Sequence, residues 1–125
     1  PDEVERAIAR RFDATLNRDD APPDAAALRD ALATHDALLA TVTDRLTREL
    51  LLAAPRRARI VASFGVGVNH VDLAAAREGG LVVTNTPDVL TDDTADVAVA
   101  LMLMAARGLG AGERLVRAGR WDGWG

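Results

Sequence analysis

Blocks of apolar residues alternate with polar breaks along this chain, and the period inside each block suggests what it forms. Asp2 to Arg11 carries Val4, Ala7, Ile8 and Arg11 at helical spacing, which predicts a helix. Phe12 to Leu16 is a short strand candidate. The stretch from Asn17 to Pro23 is a polar loop, because Pro22 and Pro23 stop regular structure and its acids keep it solvated. From there the units repeat. Asp24 to Thr34 is an alanine-rich helix started by Asp24, and Ala37 to Val42 an apolar strand. Thr47 to Ala54 is a short helix closed by Pro55, and Arg59 to Phe64 the next strand. Asp72 to Glu78 is a helix ended by Gly79 and Gly80, and Leu81 to Thr84 a further strand. Continuous apolar strands alternating with helices predict a parallel α/β sheet covered on both faces.

After Pro87 the texture changes. Thr91 is placed to cap a helix, with Asp92 and Asp93 in a first turn where the helix dipole favours acids. The helix then runs from Ala95 to Ala106 almost without a polar residue. Being apolar all round, it predicts burial all round, which needs a second domain or a second subunit. Gly108, Gly110 and Gly112 weaken the next stretch, and Glu113 to Ala118 resumes an amphipathic pattern. Trp121 and Trp124 come near the end with nothing after them as cover, so the chain reads as part of a longer protein.

Composition narrows the chemistry. The chain has 125 residues, of which 49% are hydrophobic and 27% charged, the balance of an ordinary globular protein. With no cysteine, thiol catalysis, disulfides and cysteine-based metal sites are excluded. All 15 basic residues are arginine, so a Schiff-base lysine and a P-loop lysine are excluded as well. A net charge of −4 argues against a nucleic-acid partner, which asks for a concentrated basic face. The longest apolar run, Val97 to Ala106, is short of the roughly 20 residues that span a bilayer, so no membrane partner is expected. No secretory signal pattern opens the chain, and the cytoplasm is the expected location.

The strongest local feature is Ser63-Phe64-Gly65-Val66-Gly67-Val68-Asn69-His70, between a strand and a helix. Two glycines let the backbone turn tightly and leave N–H groups uncovered, and the helix start behind them favours a small anion. The third glycine of a dinucleotide fingerprint would fall at His70, so that reading fails. Two readings stay open: an anion cradle, or a strand-to-helix turn that needs glycine only for its geometry. His35 and His70 read as loop or helix-start residues rather than bases, although Asp72 is near His70 in sequence. No His, Asp and Glu spacing suits a metal. Asn85-Thr86-Pro87-Asp88 reads as a turn at a strand end, and Thr94 puts one hydroxyl on a greasy helix, toward its own backbone or toward a ligand.

Taken together, Val66 to Ala76, Val83 to Pro87 and Thr94 to Ala98 resemble the D-isomer-specific 2-hydroxyacid dehydrogenases, in their glyoxylate and hydroxypyruvate reductase branch. The segment from Arg117 to Trp124 is similar to the one after the long helix in that family. The resemblance implies a flavodoxin-like substrate lobe over 1–89, its first strand expected before Pro1. It implies a hinge and a long apolar dimerisation helix over 90–125, leading into a nucleotide-binding domain. Residues matching Val66 and Gly67 offer backbone N–H groups to the substrate carboxylate. The one matching Thr94 lies against the nicotinamide end of NAD or NADP, and Trp121 or Trp124 lies near the active site of the other subunit of a homodimer. The catalytic Arg, Glu and His of the family are expected beyond Gly125, so no catalytic residue is assigned here. The implied activity is reduction of a small 2-oxo acid, glyoxylate or hydroxypyruvate, by the full-length parent. The rival reading is a non-catalytic dimerisation or ligand-sensing module of the same fold, as in corepressors.

Overall fold

Strand-forming runs and helix-forming runs separate as their periods dictate. The computed structural model describes residues 2–19 and 21–124; Pro1, Gly125 and Asp20 of the predicted polar loop lie outside the described residues. The order is α1 (Asp2–Ala9), α2 (Ala25–Thr34), β1 (Ala37–Thr41), α3 (Arg48–Leu51), β2 (Ile60–Phe64), α4 (Leu73–Glu78), β3 (Val82–Thr84), α5 (Thr91–Arg107) and α6 (Leu109–Arg117). The chain falls into two units, Pro1–Thr86 and Pro87–Gly125.

In the first unit the strands form a parallel sheet in the order β1-β2-β3, with Leu38 beside Val61 and Val61 beside Val83. Helix starts obey side-chain chemistry. The Asp24 carboxylate accepts from the Ala27 N–H at 2.8 Å and that of Asp72 from the Ala75 N–H at 2.8 Å, each satisfying a donor the helix cannot. Leu28 and Leu32 of α2, Leu50 and Leu51 of α3, and Ala75 and Ala76 of α4 close over Ala40 and Val61 as one buried cluster. Each leucine so buried contributes about 1.5–3 kcal/mol relative to exposure. Between β1 and β2, Arg57 grips Asp36 through two bonds of 2.8 Å. The Arg57 hydrogen bond holds the Asp36 carboxyl below its ordinary pKa. That contribution is complete above the usual carboxylate range and is lost as pH falls through the lowered value.

Three expectations need correction. Phe12 to Leu16 forms no strand: a strand exists only where a neighbour completes its hydrogen bonds. Here the Phe12 N–H closes the end of α1 on the Ile8 carbonyl at 2.9 Å. The sheet is not covered on both faces within the first unit. The strands alternate, Ala40, Val61 and Ser63 being buried while Leu39 and Val82 are 48% and 55% exposed. Thr91 is the first residue of α5 rather than its cap; Leu90 holds the cap position without a side-chain bond.

In the second unit, α5 is a helix of 17 residues with no buried side chain. The predicted long helix stops at Gly108, whose φ of 62° is a left-handed conformation that favours glycine. There α6 departs at 72°. No single helix among the described residues is long and apolar enough to cross a membrane.

Candidate functional site

Where β2 ends, the chain must leave the sheet and reach α4, and Gly65 to His70 makes that passage. Gly65 lies so close to the end of β1 that a Cβ there would meet Val42 Cγ1 at 2.5 Å, so only glycine fits without a shift. Gly67 is different: a Cβ would meet nothing within 4 Å. Sterics of the fold therefore require the first glycine and leave open space beside the second.

Both ends of the turn are anchored. At its start, the Gly65 carbonyl accepts from the Thr86 N–H at 3.1 Å, just past β3. At its end, Leu46 and Val71 form a parallel bridge, the Leu46 N–H donating to the His70 carbonyl at 2.9 Å and the Asp72 N–H to the Leu46 carbonyl at 3.0 Å. Inside it, His70 Nε2 lies 3.3 Å from the buried Ser63 Oγ. The Asn85 side-chain amide donates to the Val66 carbonyl at 2.8 Å. Among the described residues, the N–H groups of Val66 and Gly67 find no protein acceptor. Val66 is 39% exposed and Gly67 lies on the surface.

Two adjacent free N–H groups at the carboxyl end of a parallel strand can hold a single anionic group. The turn lacks the third glycine of a dinucleotide fingerprint, His70 standing at that position in the sequence.

The other sequence-predicted positions fall elsewhere. Thr94 lies in the first turn of α5, in the second unit, exposed and with no hydrogen bond from its hydroxyl among the described residues. Trp121 and Trp124, also in the second unit, stack edge to face with ring centroids 5.5 Å apart. Trp124 remains 96% exposed. His35 is spent locally, Nδ1 2.9 Å from Thr34 Oγ1 and Nε2 3.2 Å from Thr15 Oγ1. No cluster of His, Asp and Glu among the described residues could hold a metal. A surface cleft lined by Pro23, Leu28, Arg29, Thr43, Arg45 and Leu50 includes no residue of the Gly65–His70 turn. Asn85 is the residue that sequence reasoning passed over as part of a turn. Its one visible signal is a side-chain donor at the carboxyl end of a parallel strand.

Comparison with known proteins agrees on a family. A profile for the D-isomer specific 2-hydroxyacid dehydrogenase catalytic domain matches residues 2–117. The glyoxylate reductase of Korarchaeum cryptofilum (strain OPF8) is 41% identical over 114 residues, 91% of this chain and 34% of that protein. The crystal structure of the TT0316 protein from Thermus thermophilus superposes with a TM-score of 0.82 at 37% identity, covering 100% of this chain and 40% of its own. One from Polaromonas sp. JS6 66, described as a D-isomer specific 2-hydroxyacid dehydrogenase, NAD-binding, gives 0.80 at 35% identity, covering 98% of this chain and 39% of its own. This chain thus spans about two fifths or less of each relative's length, and it belongs to the D-isomer specific 2-hydroxyacid dehydrogenases, within their catalytic domain.

Proposed function

We propose that the parent protein reduces a small 2-oxo acid, glyoxylate or hydroxypyruvate, to the 2-hydroxy acid, and that these 125 residues hold the substrate carboxylate. The observation that carries this reading is the run of turn N–H groups from Val66 onward that find no acceptor among the described residues, with open space beside Gly67. Charge-assisted bonds from those donors fix the carboxylate, and with it the direction the neighbouring carbonyl carbon faces. NAD or NADP, when bound, would supply the hydride, and the family likeness implies that Thr94 would meet its nicotinamide end. The carbonyl oxygen also needs a proton. Neither His35, bonded to both Thr34 and Thr15, nor His70, turned to Ser63, is placed to give it. That role falls to the remainder of the parent protein, as the family likeness implies.

The same proposal includes a homodimer. Helix α5 leaves Val97, Leu101, Met102 and Leu103 at 57–63% exposure around its circumference, and a second copy would cover the side that Val97 and Leu101 share. Trp121 or Trp124 would then wall the other subunit's site. Full-length protein should show twice the monomer mass by light scattering, and Leu101→Glu should halve it; a native monomer would end the dimer reading.

The test of function compares substrates with and without a carboxylate. Full-length protein should reduce glyoxylate with NADH or NADPH and turn over formaldehyde, which lacks the carboxylate, at least about 100-fold less efficiently, the worth of two charge-assisted bonds. Equal turnover of both, or of neither, sinks the proposal. The 125 residues alone should reduce nothing.

A further inference from the structure

A trans peptide is planar, so its C=O and the next residue's N–H point to opposite sides. Holding one fixes the direction of the other. The Gly65 carbonyl is held by the Thr86 N–H at 3.1 Å, so the Val66 N–H faces away from the end of β3. The Val66 carbonyl is held by the Asn85 amide at 2.8 Å, so the Gly67 N–H faces the same way. Two consecutive residues after β3 thereby orient both peptides of the turn.

The two grips differ in kind. The first is a backbone-to-backbone bond just beyond the paired residues of β2 and β3, and no side chain supplies it. The second belongs to a single side chain, and the peptide it holds adjoins a glycine, whose backbone rotates with little steric cost. If that peptide turned over, the Val66 carbonyl oxygen would replace the Gly67 N–H and repel a carboxylate. We infer that Asn85 is a positioning residue that keeps the Val66–Gly67 peptide turned with its N–H toward the substrate carboxylate. This rests on the carboxylate reading of the turn. Asn85 touches no substrate; it acts through the carbonyl of Val66. An asparagine fits the task because a carbonyl only accepts, so the grip needs a neutral N–H donor that leaves no charge beside an anion.

The test is steady-state kinetics of full-length Asn85→Ala, Asn85→Asp and Gly67→Val with glyoxylate and a nicotinamide. Asn85→Ala should raise the glyoxylate KM about three- to tenfold, the factor of one ordinary hydrogen bond. The nicotinamide KM, kcat and Tm should stay at native values, as for loss of uniform substrate binding. Asn85→Asp keeps the shape and loses the donor at neutral pH, so its KM should rise at least as far. A native glyoxylate KM in either Asn85 variant, beside a raised one in Gly67→Val, overturns the lock and leaves the cradle standing. If Gly67→Val also keeps the native KM, the cradle reading fails and takes this inference with it. A fall in Tm with losses in both KM values would make Asn85 a general support of the fold, which also overturns the inference.

Discussion

Replacing Gly67 with valine should raise the glyoxylate KM of the full-length protein about a hundredfold while its melting temperature holds. The two halves of that expectation come from one observation. A Cβ at position 67 meets nothing within 4 Å, and the residue is not in the left-handed region, so the fold accepts a side chain there. The space the valine enters is the space beside the free N–H groups, where the carboxylate is proposed to sit. Losing two charge-assisted hydrogen bonds of about 1.5 kcal/mol each gives about 3 kcal/mol, or two powers of ten in affinity. Steady-state kinetics and a thermal melt on the same preparation check it. An unchanged KM ends the assignment of Val66 and Gly67.

Leu51→Ala should have the largest effect on stability. Leu51 is fully buried in α3, which packs against both α2 and α4. Truncation there loses transfer energy and leaves a cavity that three helices cannot easily collapse, at a cost of about 2–5 kcal/mol. For a domain whose whole stability is about 5–15 kcal/mol, this lowers the melting temperature by about 10–20 °C. The consequence for function is indirect. Five residues before Leu51, Leu46 bridges to Val71 and anchors the far end of the turn, so loosening α3 loosens the cradle's support. A denaturant melt of Leu51→Ala showing a loss below about 1 kcal/mol would mean that the core is less tightly packed than its burial indicates.

Much of this arrangement is legible locally. Asp24 and Asp72 announce helix starts because a carboxylate can reach an N–H three residues on without help from the rest of the chain. Gly65 and Gly67 mark the turn for the same reason of short range. The misreadings have a common cause. Phe12 to Leu16 has strand-like composition but no neighbour to complete its hydrogen bonds. The apolar strands suggested cover on both faces, yet within the first unit α2, α3 and α4 join one buried cluster with Ala40 and Val61. Thr91 has the chemistry of a cap and sits one position too late to serve as one.

Sequence alone determined the α/β alternation, the helix starts at Asp24 and Asp72, the glycine turn and the long apolar helix after Pro87, because each depends on residues within a few positions of one another. Tertiary structure alone decided which glycine is sterically required and which is open, since Val42 approaches Gly65 from the turn after β1. It also decided that Asn85 serves the turn. Past the last paired residue of β3, the chain brings an amide 19 residues along to the Val66 carbonyl, and planarity of the peptide then aims the Gly67 N–H.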